Sequence, residues 1–576
     1  MLYLYLRVTE PQNMPLLLTK NRLLFVPAYL VPVAIYFWLW NSYAINIPKW
    51  DDHALKAFVL SFNAAPTLFG KIQTLFAQHN EHRIFWTRLV TIIDFTIFGK
   101  LNYVHLMFVA NLGLVLIGII FIRFFQKNKV SIWAALPIPY LIFTLAFWEN
   151  TFWGMASVQN FWVVAWFLLT IHWLAQNREN RFWWAFGSAF MCVFTSGNGL
   201  MACAFGAAVL FLQFNWKRLF AWLVFSGVLG FSYFITYQKP VGIPSPETNF
   251  KIILKGFLAF LGAAGECFST NDPLKLCIFI GATLLLIALT ICVISLVQIV
   301  KDNQNEGILS NTYAPIFVIT VLVCLLFNAL LVSYSRAGFS LVTLITSRYK
   351  IYSVLLLITL FAYTTVQLWP WIQKSRTQFF FVFGTNITAL FFFVAANHYH
   401  LNDAIDLRKF LVTGQFNGAI NTPFSNDSVS VAVRKIYQPP AVFLDSLSIS
   451  ELPAPVFLPD SQNVSTPKST DGFTFVMPSY QAQGLGDDGL YLIMRSKSRV
   501  YVFPAKRLRN GGFENLLNFE TYFKDEAIVR VPYIETKPDF YRLYLLEKIY
   551  GKTKIFPTDK IIRMRASNDK IIQSNW

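Results

Sequence analysis

Two carboxylates in a row, Asp51 and Asp52, stand in the segment KWDDHALKAF, just beyond the first long apolar run. A carboxylate of this kind can take a proton from a hydroxyl or a water. Asp52 is the first choice for such a base, leaving Asp51 to hold a neighbouring group. The segment QHNEHRIFW gathers Gln78, His79, Glu81, His82 and Arg83, of which Glu81, His82 and Arg83 could orient the base or an acceptor. Further along, WENTFWGMASVQN supplies Glu149, Gln159 and Asn160, and TSGNGL supplies Asn198. These carboxylates and amides suit the hydroxyls of a sugar, and aromatic rings such as Tyr349 stack on its faces. Arg336 and Arg348 complete the set, with Lys239 as a further cation. A guanidinium matches phosphate through paired hydrogen bonds.

Each grouping also has an ordinary reading. An acidic pair in a loop can simply be solvated, WEN and VQN can cap helix ends at a membrane interface, and Lys350 can snorkel. His79 and His82, three apart on a helix with Asp51 or Asp52 nearby, could bind zinc. No HExxH pattern accompanies them, so no metal is expected.

The elements that must position these residues are set by composition. The chain has 576 residues, 55% hydrophobic and only 14% charged, against roughly a quarter charged in soluble domains. Apolar runs such as 106–122, 276–300 and 314–332 reach the roughly 20 residues that span a bilayer as a helix. Spans are expected at 22–45, 103–125, 131–148, 158–177, 182–196, 199–216, 219–237, 274–300, 313–333, 351–371 and 378–397. The shorter runs 84–99 and 252–268 carry charges and read as interfacial or re-entrant helices. With a cytoplasmic start this arrangement leaves Lys20/Arg22, Arg123/Lys127/Lys129, Arg178/Arg181, Lys217/Arg218, Lys301 and Lys374/Arg376 inside, a consistent positive-inside pattern. The net charge of +18 is accordingly assigned to topology and lipid headgroups rather than to nucleic acid.

The fold expected is a polytopic α-helical membrane protein of about eleven transmembrane helices with a C-terminal β-rich extracytoplasmic domain. Residues 1–400 form the membrane part and 401–576 the soluble part, where mixed β-branched and aromatic stretches with SKS and YGKT turns read as hairpins. No cleavable signal peptide is expected. The six cysteines lie in or beside apolar runs, which gives no disulfide framework and no metal-ligand spacing. On this topology 46–102, 148–160, 195–200, 238–273, 333–350 and the C-terminal part all share the outer side.

A first span, an outer loop with an acidic pair, interfacial helices and a terminal outer domain together resemble the GT-C-fold glycosyltransferases that use polyprenyl-phosphate sugars. The chain is most similar to the bacterial branch that decorates surface polysaccharide, such as O-antigen glucosyltransferases; an RxPP-like signature of the aminoarabinose branch is missing after Arg83. The resemblance implies catalysis by Asp52 or Asp51 and phosphate binding by Arg348, Arg336 and Lys239. It further implies a lipid-linked sugar donor without a cofactor or metal, and a polysaccharide or glycolipid acceptor. It places the protein in a bacterial inner membrane, with the C-terminal domain in the periplasm. The readings kept beside it are a flippase or transporter, whose ionisable groups would lie at mid-membrane, and a polymerase or ligase for lipid-linked saccharides.

Overall fold

The computed structural model describes residues 22–239, 245–269, 272–304, 312–372, 375–422, 427–454, 464–465, 471–478, 480, 485–510, 513–518 and 521–566. Among them, eight helices are long and apolar enough to cross a membrane. They are Phe25–Tyr43, Tyr103–Lys127, Ile132–Thr151, Gly154–Ala175, Pro273–Lys301, Tyr313–Arg336, Ser347–Leu368 and Arg376–Asn421.

The expected count of eleven is therefore not reached. The runs at 182–196, 199–216 and 219–237 do form helices, but shorter or less apolar ones. Glu179–Val193 has 15 residues, about 22 Å at a rise of roughly 1.5 Å per residue, against a hydrocarbon core of about 30 Å. Gly197–Leu212 is shorter than a full span. Trp216–Phe234 begins with Lys217 and Arg218 in its first turn, which lowers its mean hydropathy.

The two charged apolar runs fold as short helices. Phe85–Phe98 buries Arg88 and Asp94 and exposes Ile93, Ile97 and Phe98. Its polar face is turned inward and its apolar face outward, the reverse of a soluble amphipathic helix. Phe250–Leu261 continues into a tight turn, Ala263–Phe268, and crosses the helix Pro273–Gln304 at two glycines. A Cβ on Gly262 would stand 1.9 Å from the Cys277 carbonyl, and one on Gly281 1.8 Å from that of Leu258. Only glycine lets the two backbones approach this closely.

The last apolar run does not stop near 397. Ser375–Asn421 is one helix of 47 residues, about 70 Å long, and it carries the chain out of the bundle through the boundary expected at 400. Beyond it lie two sheets. One runs in the order Val464–Ser465, Lys552–Arg563, Phe540–Ile549, Gly489–Arg495, Val500–Pro504; the other in the order Gly472–Pro478, Phe523–Pro532, Lys506–Arg509. The turn expected at YGKT is present, with Tyr550 and Gly551 both at positive φ.

The long helix covers the edge of the larger sheet. Asn417 donates to the Val502 carbonyl at 2.9 Å and accepts from the Val502 N–H at 2.7 Å, and Asn421 makes the same pair of bonds to Val500. Four helical residues rise about 6 Å and two strand residues about 6.6 Å, so amides at i and i+4 match the ladder groups of a strand at i and i+2. An edge that would otherwise template association is thereby satisfied. Arg408 ties the same helix to the sheet through a two-pronged pair with Asp487 (2.7 and 3.2 Å) and donates to the Ala44 carbonyl beyond the first span.

Candidate functional site

At one end of the bundle, the loop after the first helix folds back against the start of Gly154–Ala175. Asp52 makes that joint. Its Oδ2 accepts from the Lys49 N–H at 2.9 Å and its Oδ1 from the Met155 N–H at 2.6 Å, while the Tyr103 hydroxyl donates to its carbonyl at 3.1 Å. Gly154 must be glycine for this packing: a Cβ there would lie 3.0 Å from the Tyr103 ring and 3.2 Å from Asp52 Oδ1. Asp52 is wholly buried, and burial pushes its carboxyl up to about 7 against the two N–H donors and Lys49. It braces the loop and does not line the cleft, which reverses the order of the two carboxylates expected from sequence.

Asp51, half-buried, faces a cleft of about 520 Å³. The brace on its neighbour directs it there, and Trp50, just before it, is held at φ 45°. Burial raises the Asp51 carboxyl above its ordinary range; Arg348 opposes the rise and Glu81 adds to it. Of the residues expected to act, Glu81, His82, Arg336, Arg348 and Tyr349 line the same cleft, and so do the amides Gln159, Asn160 and Asn198. Seven separate stretches of chain contribute, which explains why no local motif announces the site.

Each arginine in the cleft is held by a carboxylate. Arg336 Nη2 lies 3.1 Å from Glu81 Oε1, and Arg348 Nε lies 3.3 Å from Glu149 Oε2. Glu149 does not line the cleft; it sits behind it and also binds Lys49 Nζ at 3.2 Å. Lys49 was not legible as a site residue. It is 5% exposed, and its ammonium packs 4.5 Å from the centre of the Trp50 ring and 4.4 Å from that of Trp153, a favourable setting for a desolvated cation. Burial lowers its pKa, with Glu149 opposing. Its place beside Trp50, two residues before the acidic pair, was the one available signal.

The QHNEHR segment is a hairpin, not part of a helix. His79 pairs with His82 and Gln78 with Arg83, and Asn80 takes the left-handed conformation at φ 49° that asparagine tolerates. The turn presents Glu81 and His82 to the cleft. His82 Nδ1 accepts from the Gly197 N–H at 3.2 Å, as a neutral imidazole does, and burial lowers its pKa. The zinc arrangement, two histidines on one helix face, is not formed, and no group of three or more potential ligands gathers among the described residues.

Arg83 and Lys239 fall outside the cleft. Arg83 is 5% exposed; its guanidinium donates to the carbonyls of Tyr233 and Phe76, both at 2.6 Å, and to that of Ile235. It fastens the hairpin to the end of Trp216–Phe234 and has no reach into the site. Lys239 lines a neighbouring groove of about 1130 Å³, floored by Phe76, Phe190, Phe194 and Leu229, that meets the cleft at Asn80.

Gln159 donates to Ser196 Oγ at 2.9 Å, Asn160 to Asn150 Oδ1 at 2.9 Å, and Asn150 to the Arg348 carbonyl at 3.1 Å. Asn160 and Asn150 thus form a chain that holds the Arg348 backbone in place. Set against known family models, curated proteins and solved structures, the chain matches none.

Proposed function

We propose that this protein is an inverting glycosyltransferase that moves a monosaccharide from a polyprenyl-phosphate donor to a cell-surface glycan or lipid-linked acceptor. The observation that carries this reading is the convergence of a half-buried carboxylate, Asp51, and two arginines, Arg336 and Arg348, on one cleft at the end of a bundle of apolar helices. A base, a phosphate clamp and lipid-facing walls are what transfer from a lipid phosphate needs.

In the reaction, the acceptor oxygen attacks the anomeric carbon while Asp51 takes its proton. The bond from that carbon to the phosphate oxygen breaks on the opposite face, the electron pair leaves with the lipid phosphate, and the configuration inverts. Arg348 and Arg336 stabilise the charge that grows on the phosphate. Each guanidinium offers five N–H donors, and its carboxylate partner occupies only part of that fork. Glu81 and His82 orient the acceptor, and Tyr349, in the cleft lining, is an aromatic face for a sugar ring. The cleft and the C-terminal domain face the outer side of a bacterial inner membrane, and membrane lipids surround the bundle.

Purified protein in detergent, incubated with polyprenyl-phosphate glucose, galactose, mannose, N-acetylglucosamine and N-acetylgalactosamine labelled in the sugar, tests the reading. One label at least should leave the lipid when acceptor glycan is added, and none should do so with Asp51→Asn. Retention of every label by the wild type, or full transfer by Asp51→Asn, overturns it.

A further inference from the structure

Below the cleft, the same residues open a second, smaller space. Asn198, Asn328 and Tyr352 line the cleft and also a chamber of about 30 Å³, room for a group somewhat larger than one water, which needs roughly 10–15 Å³ on this measure. The rest of the chamber is apolar: Val163, Val164, Phe167, Cys324, Leu325 and Leu355 are among its walls. A chamber with such walls favours an apolar group over water.

Two polar atoms at the join between cleft and chamber have no hydrogen-bonding partner among the described residues. Asn198 uses its Nδ2 to donate to the Tyr352 hydroxyl at 2.8 Å, which leaves Oδ1 buried and unpaired. Asn328, 4% exposed on the helix Tyr313–Arg336, has its Nδ2 buried and unpaired. Burying such a group without a partner costs about 1–3 kcal/mol, so two together at the floor of a cleft call for a function. One is an acceptor and the other a donor.

A small group that presents one N–H, one C=O and one methyl meets all three features. We infer that the sugar handled in this cleft carries an acetamido substituent. Its carbonyl accepts from Asn328 Nδ2, its N–H donates to Asn198 Oδ1, and its methyl enters the chamber. A plain hexose offers a hydroxyl at the same position, which can satisfy only part of this set and leaves the chamber unfilled. The inference rests on the reading of the cleft as a sugar-phosphate site and adds the class of sugar to it.

Binding to purified full-length protein distinguishes this inference from the reading beneath it. The probes are decyl phosphate esters of N-acetylglucosamine, N-acetylgalactosamine, glucose and galactose, with binding followed by isothermal titration calorimetry. At least one acetamido ester should bind about 100-fold more tightly than its parent hexose ester, the loss expected when a site's buried polar groups go unmatched. Asn328→Leu should bring that ratio close to one, and Val164→Leu, which takes up chamber volume without removing an amide, should narrow it as well. Equal binding of acetamido and hexose esters overturns the acetamido assignment while leaving the sugar-phosphate site standing. Failure of all four to bind overturns the acetamido assignment, and together with retention of every label in the transfer assay it overturns the sugar-phosphate site as well. An undiminished ratio in Asn328→Leu and Val164→Leu also overturns the assignment.

Discussion

The sharpest test of the site concerns two adjacent residues of the same type. Asp52→Ala removes the acceptor for two buried N–H groups, those of Lys49 at 2.9 Å and Met155 at 2.6 Å. At about 1–3 kcal/mol for each orphaned donor, the variant should lose roughly 4 kcal/mol, a fall in Tm on the order of 5 °C. The loss depends on pH in a definite sense. The Asp52 carboxyl rises from its ordinary 3.8 to about 7 on folding, so the folded chain holds that proton more tightly than the unfolded one. Its contribution to stability is greatest below pH 3.8 and declines as pH rises towards 7. The difference between wild type and Asp52→Ala should therefore shrink from pH 5 to pH 8, by at most about 3 kcal/mol at roughly 1.4 kcal/mol per pH unit. Asp51→Asn, at an unbraced position, should leave Tm unchanged and lower transfer by about 10²–10⁴-fold. Thermal unfolding of detergent-solubilised protein at pH 5 and 8, with turnover normalised to folded protein, measures all of this. An unchanged Tm with abolished transfer in Asp52→Ala, alongside full transfer in Asp51→Asn, would refute the division of labour between brace and base.

The remaining expectations concern the residues around that pair. Because burial and Glu81 raise the Asp51 carboxyl while Arg348 lowers it, the acid limb of the rate–pH profile should lie above pH 3.8. It should move up further in Arg348→Met and down in Glu81→Gln; limbs that shift the other way, or not at all, would exclude Asp51 as the titrating group. Arg83→Lys should destabilise by about 3 kcal/mol, since one ammonium cannot serve the carbonyls of Tyr233, Phe76 and Ile235 together and charged hydrogen bonds are worth about 1.5–3 kcal/mol each. Its Tm should fall while the KM for donor stays the same, and a raised KM with unchanged Tm would return Arg83 to the site.

The apolar runs and the β-rich C-terminal third were legible in the sequence. Bilayer-length hydropathy and strand-period patterning are local properties, readable from a window of one helix or one hairpin. Asp51, Glu81, His82, Arg336 and Arg348 stood out because charge is rare in such a chain, and tertiary structure brings them to one cleft. Side-chain direction was not legible. Asp51 and Asp52 are chemically identical, and only the packing of Gly154, Tyr103 and the Met155 N–H turns one inward and the other outward. Arg83 and Lys49 were not placed by the sequence for the same reason: carbonyls at the end of a distant helix capture the first, while Glu149 and two indole rings draw the second in behind the cleft. Asn328 and Tyr352, within apolar runs, become floor residues only when their helices pack. Sequence determines which groups a protein of this class can bring to a membrane surface; the partner each group meets, drawn from stretches up to about 300 residues apart in the chain, is decided by packing alone, because burial and hydrogen bonding are satisfied in space and not along the chain.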